Sequence, residues 1–153
     1  MDKLSLVDYQ NLDSRQREVY NYQKLSALLA DYGYETVRLS ADWNGADVFA
    51  LSFDRKKHIL IQLKSRLAFN VKYQKKAIYI AFPYKGGWYI FPHDKILKDA
   101  LKLTKIGKSD SWKNRGGYST SNVPDKILPQ LEKYYYSECK LINQLLKKKA
   151  TAD

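Results

Sequence analysis

An acid, an amide and an amine stand out by type and spacing in this 153-residue chain. Asp47 lies in Asn44-Gly45-Ala46-Asp47-Val48-Phe49-Ala50, and Gln62 and Lys64 lie in Ile59-Leu60-Ile61-Gln62-Leu63-Lys64-Ser65. Side chains alternate between the faces of a strand, so Gln62 and Lys64 share one face while Ile61 and Leu63 point to the other. A lysine on an otherwise apolar strand is costly to bury unless a charge or a phosphate meets it. Phosphodiester hydrolysis needs a divalent cation held by hard oxygen ligands, a nucleophilic water, and positive charge near the scissile phosphate. Each residue also has a plainer reading. Asp47, after Asn44-Gly45-Ala46, is equally a turn residue that caps its own backbone. Gln62 and Lys64 are equally the solvent side of an edge strand, where lysine guards against aggregation. Taken jointly, at the spacing 62 − 47 = 15, the residues favour a site.

The order acid, loop, strand, Gln-x-Lys resembles the PD-(D/E)xK nuclease superfamily, whose pattern is an Asp on one strand and a Glu or Gln two residues before a Lys on the next. The resemblance runs from about Glu18 to Phe91 and implies a restriction-endonuclease-like core. It implies that Asp47 supplies the principal oxygen to Mg2+ or Mn2+, that Gln62 supplies a neutral amide oxygen, and that Lys64 orients or helps deprotonate the water. Backbone carbonyls of Ile61 and Leu63 add oxygen to the metal shell. Gln62 in place of Glu removes one negative charge, and an acid on the first helix, Glu18 at the matching place, restores it. The implied activity is magnesium-dependent cleavage of double-stranded DNA, of restriction type or of the homing type encoded in group I introns. Cutting both strands implies a homo-oligomer, a dimer or a tetramer. The alternatives are a non-catalytic nucleic-acid-binding protein on the same fold, with Gln62 marking a decayed metal site, or an interaction protein with an acidic partner.

The elements that must position these residues are a helix and a set of strands. Asp13 with Gln16, or Ser14 as the cap itself, opens a helix that Gly33 closes. Within it Glu18, Tyr22, Leu25, Leu29 and Tyr32 recur at helical spacing, which predicts one stripe with Glu18 pointing inward toward a lysine or a metal. Strands are predicted over Tyr34 to Leu39, Ala46 to Phe53 and His58 to Ser65. The run Lys76 to Tyr84 leads through Gly86-Gly87 into Trp88 to Phe91 as a hairpin, and Asp94 to Leu103 is periodic as a helix. Residues 104–123, polar and punctuated by glycine, are predicted to be a long basic loop. A C-terminal helix is expected over about 125–149, its Lys147-Lys148-Lys149 run suiting a helix C-terminus. The expected class is α/β, a mixed β-sheet flanked by helices, in one domain spanning 1–153 with its core over about 14–103.

Charge points to the partner. Lys plus Arg number 27 against 16 Asp plus Glu, a net +11, which favours a polyanion through counterion release. Trp43 and Asn44 before the acid, and Arg66 after the lysine, are placed at the mouth of the site. Lys72, Lys75 and Lys76 form one candidate phosphate track, and Lys105, Lys108, Lys113 and Arg115, interleaved with Trp112 and Tyr118, form another. The latter track is equally a solvated loop, and Trp43 is equally a core plug. No apolar run approaches the ~20 residues of a membrane span, the N-terminus lacks a secretory h-region, and the single cysteine, Cys139, forms no intrachain disulfide, so a cytoplasmic protein without a membrane partner is expected. His58 and His93 are isolated from any second ligand at zinc spacing. Tyr134-Tyr135-Tyr136 cannot all face one core, which hints at a subunit contact.

Overall fold

A capping box starts the first helix. The Asp13 carboxylate accepts the Gln16 N–H and the Gln16 side chain accepts the Asp13 N–H, so two orphan donors are satisfied at once. The computed structural model describes residues 3–151, and of Asp42, Glu138 and Cys139 the backbone alone. Helix α1 (Ser14–Asp31) ends at Gly33, whose φ of +78° suits the residue that closes a helix.

Strands β1 (Tyr34–Trp43), β2 (Ala46–Ser52) and β3 (His58–Leu63) follow as an antiparallel meander. After β4 (Leu67–Asn70), β5 (Ile78–Tyr84) pairs in parallel with β3, and β6 (Gly87–Pro92) turns back antiparallel. The six-stranded order is β1-β2-β3-β5-β6-β8, with β8 (Tyr135–Tyr136) on the far edge. A mixed sheet flanked by helices, the expected α/β class, is what forms.

Both faces of the sheet are covered. Helix α1 lays Leu25, Leu28 and Leu29 on Val48, Ala50, Ile61, Ala81 and Ile90. The opposite face packs Ile78, Ile80, Phe82 and Phe91 against helix α2 (His93–Leu103), through Ile96, Leu97 and Ala100, and against Ile127 and Leu131. Burial on two sides explains why β3 and β5 read as continuous apolar runs. The β5–β6 turn is Lys85-Gly86, both at positive φ, one residue earlier than the expected glycine pair. Gly87 instead opens β6, and a Cβ there would lie 2.6 Å from the Tyr135 ring and the Tyr136 carbonyl. The bare backbone lets β8 join the sheet.

Two expectations are corrected. Residues 104–123 are no long loop: a 3-10 turn (Ile106–Lys108), helix α3 (Asp110–Arg115) capped by Ser109, and strand β7 (Gly117–Thr120) form there. Strand β7 pairs with β4, Tyr118 opposite Phe69. These elements are too short for a periodic signal, and single anchors such as Ile106, Val123 and Trp112 fasten them to the core. The continuous helix expected over 125–149 is broken into a 3-10 turn, α4 (Leu128–Leu131), a second 3-10 turn, β8 and α5 (Glu138–Ala150). Backbone pairing of Tyr135 and Tyr136 with β6 overrides helical spacing. The tyrosine run is also engaged within the chain: the Tyr135 hydroxyl donates to the Tyr84 and Lys85 carbonyls, and the Tyr136 ring meets Tyr32 edge-on at 5.2 Å.

Candidate active site

Asp47 and Gln62 meet where β2 and β3 part. The ladder between the strands ends at the pair Val48 and Ile61. One step further, the Asp47 carboxylate takes the place of a ladder acceptor, Oδ2 accepting the Leu63 N–H at 3.0 Å and the Gln62 Nε2 amide. Among these bonds the Asp47 side chain reaches across to β3 rather than back to its own turn. Gln62 is 9% exposed, as a polar group held by an ionised partner can be.

Lys64 lies one residue past β3, shorter than the expected strand, and its N–H donates to the Ala81 carbonyl at 2.8 Å, which ties it to β5. Its Nζ sits 5.6 Å from the centre of the Tyr73 ring, a cation–π distance, and Lys72 Nζ lies 5.1 Å from the same ring. Tyr73, 1% exposed, follows β4 in a 3-10 turn (Val71–Tyr73). A Cβ on Gly45 would meet the Tyr73 ring at 2.9 Å, and Gly45 has a φ of +84°, so glycine is required there. The β1–β2 connection is thus the tight turn Asn44-Gly45, not an open loop, with Trp43 and Asn44 exposed beside it.

A cleft of about 630 Å³ opens over these residues, lined by Asp47, Gln62, Leu63 and Lys64 from the sheet and by Ser14, Arg17, Glu18 and Asn21 from α1. Glu18 therefore shares the cleft with Asp47, but its orientation corrects the expectation of an inward acid. The buried stripe of α1 is Asn21, Leu25, Leu28 and Leu29, which leaves Glu18 on the cleft rim, its side chain 58% exposed and ion-paired to Arg38 of β1. The partner it meets is Arg38, an arginine rather than a lysine. Among the described residues no three His, Cys, Asp or Glu side chains gather as a metal-holding group. The oxygens that do share the cleft, the Asp47 and Glu18 carboxylates, the Gln62 amide and the Leu63 carbonyl, are the hard donors that Mg2+ or Mn2+ takes. They fit such a cation by chemistry. Gln62 turns Nε2 toward Asp47, so acting beside it as a ligand requires the amide to present Oε1.

The proposed nucleic-acid contacts divide. Lys72 joins the site through Tyr73, whereas Lys75 and Lys76 are exposed on the following turn, where the Lys75 N–H donates to Asp94. Arg66 is exposed just past Lys64. Lys105, Lys108, Lys113 and Arg115 are exposed on the 3-10 turn and α3, and none of them lines the cleft.

Several participants escaped the sequence reading. Arg17 and Asn21 join Ser14 and the expected Glu18 at i, i+3, i+4 and i+7, a polar stripe that continues the apolar one and was legible as such. Tyr73 and Arg38 carried no local signal. His93, set apart as an isolated histidine, is fully buried, accepts the Asn70 N–H on Nε2 at 3.2 Å and bonds Asp94 through Nδ1 at 2.8 Å. Its ring meets Tyr73 edge-on at 5.5 Å. Burial pushes His93 below the usual imidazole value, against the opposing pull of Asp94.

No protein-family model matches the chain, and neither does any curated protein. Among solved structures, it is similar to a Holliday junction resolvase from Archaeoglobus fulgidus, at 14% identity and a TM-score of 0.41, over 50% of this chain and 72% of that one. So loose a likeness carries nothing over to individual residues or to activity. Among the described residues, no helix is long and apolar enough to cross a membrane.

Proposed function

We propose that the protein is a metal-dependent DNA endonuclease of the PD-(D/E)xK type, acting through Asp47, Gln62 and Lys64 with Glu18 on the opposite wall. The observation that carries this reading is the meeting of Asp47 and Gln62 beside Lys64 in one cleft, from two strands fifteen residues apart. A bound Mg2+ or Mn2+ supplies a Lewis acid and a more acidic water at the scissile phosphate. Asp47 gives the anionic oxygen, held in place by the Leu63 N–H. Lys64, backed by the Tyr73 ring and tied to β5, presents positive charge to the phosphate and orients the attacking water. Double-stranded DNA is the partner, and site-specific cutting of homing or restriction type is the finer form of the reading. Cutting both strands requires a dimer or tetramer; α5, which exposes Ile142, Leu145 and Leu146, supplies an apolar stripe for such an assembly.

A second reading, nucleic-acid binding without cleavage, is favoured by the Arg38 pairing of Glu18 and by the Gln62 amide facing Asp47 through Nε2. Incubation of plasmid and genomic DNA with and without magnesium decides between them. Wild type is expected to cut only with magnesium, while Lys64→Ala and Asp47→Asn lose cleavage by at least about a hundredfold and Asp47→Asn keeps DNA binding. Undiminished cutting by Asp47→Asn removes Asp47 from the site, and no cutting by wild type with magnesium leaves the binding role.

A further inference from the structure

The charged lining of the cleft is Arg17 and Lys64 against Glu18 and Asp47. Glu18 is already paired with Arg38. Arg17, half-buried, forms no ion pair among the described residues. Its Nη2 donates to the Gln10 carbonyl at 2.7 Å, and its guanidinium carbon lies 5.5 Å from the centre of the Tyr9 ring. Its Nε is shut off from solvent and has no acceptor. Tyr9 is itself held, its hydroxyl accepting the Nδ2 of Asn21, a residue only 5% exposed, at 2.9 Å. A guanidinium carries five N–H donors in a rigid fork, and a charge drawn partly out of water costs free energy unless an anion meets it. A carbonyl and a ring face fix Arg17 in place, and neither neutralises it.

We propose that Arg17, with Ser14, holds a phosphate of the cleaved strand next to the one at Lys64. The inference rests on the nuclease reading above and adds to it a strand contact on α1, apart from the lysines between β4 and β5 and around α3. Ser14 stands three residues before Arg17, on the same face of the helix, and also lines the cleft. It is exposed, and Asp13 rather than Ser14 caps the helix, so its hydroxyl is left to the cleft. Both residues lie in the first turns of an 18-residue helix, where the helix dipole favours an anion. A phosphate supplies what Arg17 lacks, a counter-charge with several acceptor oxygens that the planar fork can take together. A brace fastening the Tyr9–Asn11 turn to α1 is the plainer role. It accounts for the Gln10 bond and the ring contact, but it leaves a positive charge in the cleft with no anion. An arginine fixed in this way also fixes the path of the strand over Asp47 and Lys64, which a freely moving lysine does not.

The test measures affinity for a short labelled DNA duplex by fluorescence anisotropy, in EDTA and across a salt series, with melting temperature as the control for folding. Arg17→Gln should bind more weakly and lower the slope of log affinity against log salt by about 0.9, the share of one phosphate contact. Arg17→Lys should keep the slope. Because loss of the guanidinium also frees the Tyr9–Asn11 turn, a second variant leaves that brace intact. Ser14→Asp places a carboxylate in the first turn of α1, where it favours the helix but repels a phosphate. It should melt no lower than wild type. It should also bind DNA at least about fivefold more weakly than Lys126→Gln, an equal change of charge beside Ile127, which packs on the sheet face away from α1. An unchanged slope in a normally folded Arg17→Gln, or Ser14→Asp binding as well as Lys126→Gln, overturns the phosphate site. Magnesium-dependent cutting by wild type, assayed separately, decides the nuclease reading: a lowered slope without any cutting keeps a phosphate at Arg17 and sinks the nuclease, and cutting with an unchanged slope does the reverse.

Discussion

At the residue scale, the site is set by one carboxylate and the donors around it. Asp47 accepts two N–H groups through Oδ2, and charge-assisted bonds of this kind are the strong ones. Gln62→Glu replaces the nearer donor by a second carboxylate. Two carboxylates in contact repel unless a cation or a proton stands between them. The variant is therefore expected to melt lower than wild type without metal, by about 1–3 kcal/mol, to recover in millimolar magnesium, and to bind magnesium more tightly by calorimetry. No gain in magnesium affinity would remove Gln62 from the cation's surroundings. Glu18→Gln tests the opposite wall. Its exposed pair with Arg38 contributes less than about 1 kcal/mol, so stability should hold while magnesium affinity and cleavage fall. Full activity at limiting magnesium would leave Glu18 as a partner of Arg38 alone.

The elements behind Lys64 are fastened by the start of α2. His93 accepts the Asn70 N–H at the end of β4, and Asp94 accepts the Lys75 N–H, so the segment carrying Tyr73 is tied down on both sides of its ring. With the Asn70 N–H donating to Nε2, the imidazole must be neutral there, and protonation would set two donors against each other. Burial accordingly pushes His93 down from the usual value near 6.5. The sign follows from linkage. Between the lowered folded pKa and the unfolded one, the unfolded chain binds the extra proton, so stability is full above about pH 6.5 and falls as pH drops below it. Melting temperature measured from pH 8 to pH 5 should decline below about 6.5 in wild type and decline less over that interval in His93→Gln, whose amide oxygen can accept the Asn70 N–H without titrating. Equal decline in both would place the pH sensitivity elsewhere.

Across the whole molecule, a net charge of +11 is spread over surfaces beyond the cleft. Lys105, Lys108, Lys113 and Arg115 are exposed around α3, and Lys72, Lys75 and Lys76 lie on the segment between β4 and β5. Each phosphate neutralised on duplex DNA releases about 0.9 counterions. With four or more such contacts, affinity should fall at least about a hundredfold between 50 and 200 mM salt, read by anisotropy. A flat response would count against nucleic acid and favour an acidic protein partner.

Local rules made some of this chain readable before any fold was known. The Asp13–Gln16 box, Gly33, the alternation along β2 and the spacing of α2 depend on neighbours a few residues away, and they mark α1, β2 and α2 within a residue or two. The Asp47, Gln62, Lys64 pattern was legible for the same reason, since strand alternation already puts Gln62 and Lys64 on one side. Residues 104–123 and 125–149 were misread because each short piece there is held by a distant contact: Tyr118 opposite Phe69, and Tyr135 beside Tyr89. Glu18 was assigned an interior place by helical spacing alone, yet its partner, Arg38, lies on a strand whose position depends on the whole sheet. His93 gave no sign of its role, because Asn70, which donates to its Nε2, and Tyr73, whose ring it meets edge-on, both come from the crossover that lets β5 run parallel to β3. Periodicity and capping energies act over one or two turns of chain, whereas the direction of a side chain at the sheet's end depends on which strands meet there, and that is decided by burial over the entire core.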